Sequence, residues 1–211
     1  YLKGGKSRLK GNVSLKSKAR AIYADSLSYD RNKDFTEAFG RVKFVDTVQK
    51  FTAQGHSGSY NLQDGIGRIE GSPRALIDRK EKKPIEVNSK VFEFVERRNS
   101  LMAYDSVKIT IDSILINGDS LTYDINKKTG IIVNLKMTEF DNSITGVSGR
   151  FSLSDEKLSE FEVMNGNGVY YTKEGTKNEL AGGSIIFQFK DGRASSIEVI
   201  NNPRAFLYLK K

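Results

Sequence analysis

The sequence predicts an all-β protein, an elongated β-jellyroll or solenoid-like stack built from about six repeats of roughly thirty residues. Three observations carry that reading. A short motif with serine three residues before an aromatic recurs six times, a polar turn follows each copy, and the intervening segments alternate apolar and polar residues. Helical periodicity is nearly absent.

The motif is clearest in Ala24-Asp25-Ser26-Leu27-Ser28-Tyr29-Asp30, Gly55-His56-Ser57-Gly58-Ser59-Tyr60-Asn61, Val87-Asn88-Ser89-Lys90-Val91-Phe92-Glu93 and Gly118-Asp119-Ser120-Leu121-Thr122-Tyr123-Asp124. Weaker copies are Gly146-Val147-Ser148-Gly149-Arg150-Phe151-Ser152 and Gly182-Gly183-Ser184-Ile185-Ile186-Phe187-Gln188. The aromatics Tyr29, Tyr60, Phe92, Tyr123, Phe151 and Phe187 are spaced by 31, 32, 31, 28 and 36 residues, so insertions belong in the last third. Each is expected at the same interior place in its repeat.

The turns are Arg31-Asn32-Lys33-Asp34, Gln63-Asp64-Gly65, Glu96-Arg97-Arg98-Asn99, Asn126 to Gly130, Asp155-Glu156-Lys157 and Lys190-Asp191-Gly192. Asn, Asp and Gly tolerate the positive φ angles of tight strand reversals. Between them lie alternating runs such as Gly40-Arg41-Val42-Lys43-Phe44, Ser106 to Ile111 and Glu160-Phe161-Glu162-Val163, which mark half-buried strands. Pro73 and Pro203 sit in two similar segments, Arg68 to Leu76 and Ile197 to Phe206. A proline cannot donate to a ladder, so both belong at strand starts, bulges or edges.

Composition narrows the function. The 211 residues carry 37% hydrophobic and 28% charged side chains, less apolar material than a compact globule uses, which fits a thin core. With no cysteine, disulfides and thiolate metal sites are excluded. No run of about 18 apolar residues is present, and Tyr1-Leu2-Lys3-Gly4-Gly5 does not resemble a signal peptide, so a targeting segment is expected to be absent from this chain. The net charge of +8 favours polyanions without choosing among them. The basic residues, clustered at Lys3 to Lys18, Arg79 to Lys83 and Lys210-Lys211, read first as a solvated surface.

Catalytic candidates are few, and no enzyme is expected. The one histidine, His56, takes the repeat position held elsewhere by Asp25, Asn88 and Asp119, which marks a polar strand-end residue rather than a base or metal ligand. Six serines without a partner histidine point to structure, as small residues or as hydroxyls capping backbone groups. Gly65-Ile66-Gly67-Arg68 lacks the lysine and helix of a phosphate loop. No cofactor, metal or nucleic acid is called for.

The runs Ala21-Ile22-Tyr23-Ala24-Asp25-Ser26-Leu27-Ser28-Tyr29-Asp30 and Ala38-Phe39-Gly40-Arg41-Val42-Lys43-Phe44, recurring in order at Gln54 to Ile77, resemble the OstA-like family of lipopolysaccharide-transport proteins. The resemblance is clear over residues 9 to 141 and thinner over 142 to 211, and it implies one OstA-like β-jellyroll domain spanning 1 to 211. It also implies a periplasmic location, in association with inner- or outer-membrane proteins, and an apolar groove carrying lipopolysaccharide or another envelope lipid. Period-two spacing places Leu27, Tyr29, Val42, Phe44, Phe92, Phe94, Val107, Ile109, Leu121 and Tyr123 on the groove. Partners would be other β-jellyroll transport proteins, or further copies head to tail, joined at terminal strands near Leu9 to Leu15 and Arg204 to Leu209. The competing expectation is a cell-envelope scaffold or binding module that acts through edge pairing without moving lipid.

Overall fold

The computed structural model describes residues 5–16, 18–79, 82–155, 157–172, 175–190 and 193–208. Its strands are β1 (Lys6–Lys16), β2 (Arg20–Asp30), β3 (Phe35–Asp46), β4 (Phe51–Asn61), β5 (Ile66–Glu70), β6 (Arg74–Arg79), β7 (Lys82–Asn88), β8 (Val91–Val95) and β9 (Ser100–Ile111). They continue with β10 (Ile114–Asp124), β11 (Thr129–Glu139), β12 (Asn142–Ser154), β13 (Lys157–Tyr171), β14 (Lys177–Lys190), β15 (Arg193–Ile200) and β16 (Arg204–Leu207). The protein is all-β, and every pairing described below is antiparallel. It divides into two compact units between Ser106 and Val107.

In the first unit the order of hydrogen-bonded neighbours is β1-β2-β3-β4-β5-β8-β9, with β6 bridging β4 and β7. In the second it is β10-β11-β12-β13-β14-β15, with β16 also on β14. The expected turns close these hairpins. Glu156, Asp191 and Gly192, like Leu209, Lys210 and Lys211, lie outside the described residues, and so do Lys3 and Ser17 of the first basic cluster.

What turns these hairpins into two walls is a corner in the middle of alternate limbs of the repeat. Left-handed backbone appears at Gly11/Asn12, Gly40/Arg41, Gly71/Ser72, Asp105/Ser106, Asn134, Asn165 and Asn201/Asn202. Seven corners thus recur at the repeat spacing, always on the odd-numbered limb of the repeat. At Gly40 the φ of +73° suits glycine, whereas Arg41 at +47° carries the steric penalty of a side chain there, on the order of 1 kcal/mol. The cornered strand itself carries the extra residue, so the β2–β3 register skips from Tyr23/Lys43 to Ser26/Phe39.

Each corner lets a strand leave one wall and enter the other while its inner face stays apolar. In β3 the inner residues are Ala38 before the corner and Val42, Phe44 and Asp46 after it, and the outward Phe39, Arg41 and Lys43 are exposed. Polar side chains stitch the outside of the corners together. Arg41 Nε donates to Asp25 Oδ1 at 2.9 Å and Arg41 Nη2 to Asn12 Oδ1 at 3.2 Å, and Asn134 Nδ2 donates to Asp119 Oδ2 at 2.6 Å. His56 is exposed at its own corner, against Gly71, as Asp25 stands against Gly40. Pro73 follows one corner and immediately precedes β6, and Pro203 follows another and immediately precedes β16.

The corners also explain the small residue that opens the motif. A Cβ at Gly55 would lie 2.5 Å from Ile69 Cγ2, one at Gly118 2.5 Å from Ile132 Cγ1, and one at Gly182 2.5 Å from Val199 Cγ1. Gly146 faces Val163 Cγ1 and the Met164 carbonyl in the same way. A branched aliphatic from the next strand fills the bend, and only hydrogen leaves room for it. The repeated serines do not share one role. Ser184 Oγ donates to Glu162 Oε1 at 2.8 Å and Ser89 Oγ to the Val91 carbonyl at 2.9 Å, while Ser26 and Ser57 line up beside Phe39 on the outer face.

One expectation from the repeat needs correcting. The register aligns Ser7, Tyr29, Thr36, Tyr60, Gly67, Phe94 and Leu101 across the first unit, and Leu9, Leu27, Ala38, Gly58, Ile69, Phe92 and Ala103 in the neighbouring inner row. Phe94, not Phe92, is therefore the counterpart of Tyr29 and Tyr60. Ser89 and Lys90 separate β7 from β8 and shift the motif by two residues without moving either phenylalanine off the inner face.

Gly146→Ala should lower stability by about 1 to 3 kcal/mol, because the new methyl meets backbone as well as Val163. Urea denaturation followed by circular dichroism checks this. A midpoint unchanged from that of the unaltered protein would mean the bend has slack.

Candidate functional site

The inner faces hold the groove residues read from the sequence. In the first unit Leu27, Val42 and Phe92 are buried and Tyr29, Phe44 and Phe94 are half-buried. In the second unit Val107, Ile109 and Leu121 are buried and Tyr123 is half-buried. Burial falls from the corner outward. Leu27, Ala38 and Val42 sit deep beside the bend, whereas Tyr29, Tyr60, Phe94, Phe44 and Phe51 stand nearer the free rims of the two walls.

In the second unit the outer part of one wall is an aromatic row, in which Tyr123, Gly130, Phe151, Phe161, Phe187 and Ile197 are aligned by register. Gly130 leaves the space for the Phe151 ring. Tyr123 stacks on Phe151 at 6.1 Å between centroids and Phe151 on Phe161 at 6.5 Å. The opposite wall presents Ile116, Met137, Ile144, Gly168 and Leu180, again in one register row. Between them opens a cleft of about 200 Å³.

That cleft draws Phe187, Phe189 and Ile197 from the aromatic wall and Met137, Ile144 and Leu180 from the other. Glu139, Asn142, Ser143 and Tyr170 also line it. Its volume is below the 300 to 1,000 Å³ typical of small-molecule pockets, yet its walls are apolar and their outer rows end at the rim. None of the groove residues expected from the sequence lines this cleft. The alternation of β11 to β14 carries a signal for Met137, Ile144 and Leu180, which lie away from the aromatic motif.

The equivalent rim of the first unit is occupied by its own side chains. Arg20 Nε donates to Asp46 Oδ2 at 2.9 Å and Arg20 Nη1 to Glu96 Oε1 at 3.0 Å, while Tyr60 Oη donates to Glu96 Oε2 at 2.6 Å. The Arg20 guanidinium also lies over the Phe94 ring, 5.7 Å from its centroid. Asp46 is held from below, since its Oδ1 accepts from the backbone N–H groups of Val48 and Gln49 at 3.0 and 2.9 Å. Arg20 and Asp46 belong to one wall, and Tyr60, Phe94 and Glu96 to the other.

The chemistry of this cluster is electrostatic. Burial, and then the hydrogen bond to Glu96, push the Tyr60 hydroxyl up to about 12. The hydrogen bonds from Tyr60 and Arg20 hold Glu96 below its ordinary 4.5. Among the described residues no group of three or more His, Asp or Glu is placed to hold a metal ion. No helix of the described residues is long and apolar enough to cross a membrane.

In each unit the antiparallel strands form two walls with an apolar inner face, and in the second unit these walls enclose an apolar cleft. No family model matches the sequence. No curated protein matches it either. Among solved structures the chain is similar to LptH, the LptA homologous periplasmic component of the conserved lipopolysaccharide transport device from Pseudomonas aeruginosa, at 14% identity, covering 50% of this chain and 76% of that one, with a TM-score of 0.45.

Because Glu96 is depressed in the folded state, its contribution to stability is present above its ordinary 4.5 and is lost as pH falls through the lower, folded value. An NMR titration of the Glu96 carboxyl should therefore give a midpoint below 4.5, moving upward in Tyr60→Phe. A midpoint at or above 4.5 in the unaltered protein would show that neither donor engages it.

Proposed function

We propose that the protein binds the acyl chains of an envelope lipid, lipopolysaccharide or a close chemical relative, in the trough between its walls and passes it along a periplasmic bridge to the outer membrane. The observation that carries this reading is the apolar cleft of the second unit, formed from both walls by Met137, Ile144, Leu180, Phe187, Phe189 and Ile197. Each methylene moved there from water gains about 0.8 kcal/mol. The resemblance of Ala21 to Asp30 and Ala38 to Phe44 to the OstA-like motif supports the same lipid class and location. Leu27, Tyr29, Val42, Phe44, Phe92 and Phe94 in one unit, and Val107, Ile109, Leu121 and Tyr123 in the other, are the proposed lipid-facing walls of each unit taken by itself.

Binding in a slot of this kind needs no bond making by the protein. The exposed His56 at its corner plays no part, so His56→Ala leaves lipid uptake at its normal level.

The ends of the inner rows support a bridge. Leu9 and Leu15 continue the rows of Leu27 and Ile22, yet they are 49% and 45% exposed, since β1 pairs only with β2 among the described residues. At the other end Ile197 and Leu207 continue inner rows and are 40% and 67% exposed. Among the described residues β1 and β15 thus stand at the two ends of the strand order with unfinished apolar rows, the combination that a matched strand of another β-jellyroll, or of another copy, would complete.

A scaffold that pairs edges without carrying lipid is favoured by one observation. The row Ile132, Gly149, Val163 and Ile185 is fully buried beside the corner and leaves no space for a guest there.

A photo-crosslinking amino acid at Met137 separates the two. Lipid transport predicts labelling by lipopolysaccharide at Met137 and none from the outward Lys136, and absence of label at both supports the scaffold. Val13→Pro or Leu207→Pro should abolish concentration-dependent association seen by light scattering while circular dichroism stays unchanged. A strict monomer at high concentration that binds no β-jellyroll partner would contradict the bridge.

A further inference from the structure

We infer that Arg20, Asp46, Tyr60 and Glu96 form a latch that ties the two walls of the first unit at their rims and gates entry to the trough beneath. This goes beyond lipid binding, since it assigns a closing device to side chains that the proposed ligand path does not use.

The placement of the residues carries the inference. Arg20 and Asp46 are register partners at the rim of one wall, in line with Phe51 on β4. Glu96 opens the short 3-10 turn Glu96–Arg98 directly after β8 on the other wall, and Tyr60 is on that wall as well. Arg20 and Glu96 lie 76 residues apart in sequence, so only the folding back of the walls brings them together. One layer below the latch on the Arg20 wall is Ala53, which is 1% exposed.

The latch has the character of something that opens. Its anchors are fixed: Asp46 is 7% exposed at its side chain and held by two backbone donors, and the Glu96 N–H donates to the Gly65 carbonyl at 2.8 Å. Its crossing bond is half in water, with the Arg20 and Glu96 side chains 40% and 44% exposed. An ion pair of that exposure is a weak tie, one that salt or a competing ion loosens, whereas an apolar contact across the walls would resist both. Phe94 beneath the guanidinium keeps Arg20 extended across the gap when the pair forms. In the second unit Phe189 follows Phe187 at the spacing by which Glu96 follows Phe94, and an apolar cleft opens at that rim.

The chain has no cysteine, so a single thiol reports opening without lipid and stands apart from the question of what the trough carries. Ala53→Cys is introduced, and its reaction with the uncharged reagent monobromobimane is timed in the full chain. Adding Arg20→Gln or Glu96→Gln should speed modification about fivefold, the factor to which the loss of a tie worth about 1 kcal/mol converts. Tyr60→Phe should give a smaller increase with less disturbance of the fold. Arg41→Gln, which breaks the exposed corner pair with Asp25, should leave the rate unchanged.

Rates are repeated in low urea. Opening at the rim exposes little surface, so the accelerated rate should be nearly independent of urea, whereas global unfolding makes it climb exponentially. Equal rates in the intact and latch-broken proteins, or an acceleration that climbs with urea, would overturn the latch.

Discussion

The mid-strand corner is the constraint on which the rest of the structure depends. Long antiparallel strands left to their ordinary twist would form an open sheet with one wet face and one exposed apolar face. Here seven left-handed corners, among them Gly40/Arg41, Gly71/Ser72 and Asn134, bend the odd limbs of the repeat, and in β3 an extra residue takes up the bend. The bend preserves the inward phase, so that Ala38 and Val42 on either side of one corner both enter the core. Glycines at Gly55, Gly118, Gly146 and Gly182 let the next strand's Ile69, Ile132, Val163 and Val199 fill the bend. A trough exists because that packing is tight at its base and relaxes toward its rims.

Different chemistry follows at the two rims. In the second unit the cleft between the walls is mainly apolar, with Glu139 and Asn142 at its edge, and one wall carries the stacked Tyr123, Phe151 and Phe161 rings. In the first unit Arg20, Glu96 and Tyr60 cross from wall to wall. The energies differ in kind as well. Apolar burial scales with area and is insensitive to salt, while a half-exposed ion pair contributes at most about 1 kcal/mol and is readily exchanged. Stability rests on the packed base more than on the rims.

Much of the fold was legible in the sequence because hairpin turns and period-two strands are local signals. Asn126 to Gly130 and Gln63 to Gly65 announce reversals by composition alone, and Gly40 to Phe44 shows its inner and outer faces. The corners were less visible, because a glycine or asparagine within a strand reads as a turn residue out of place. Only Gly40, Gly71 and Asn201 placed on equivalent limbs reveal them as one periodic device. Phe92 was matched to Tyr29 and Tyr60 because Val87 to Glu93 contains the serine and aromatic at the usual separation, and the two-residue break at Ser89 and Lys90 has no compositional mark. Arg20 and Glu96 were out of reach for another reason, as no local pattern connects residues 76 positions apart. The cleft shared that difficulty, drawing on strands from β10 to β15.

The claim that the walls shelter an acyl chain is tested most directly by paramagnetic broadening of methyl resonances with a fatty acid carrying a nitroxide near its terminal methyl. Met137, Ile144 and Leu180 face the cleft, whereas Ile131, Val133 and Val147 are exposed on the outside of the same unit. The account predicts strong, saturable broadening of the first three methyl groups and none of the second three. Equal broadening of both sets, or of the outer set alone, would contradict it.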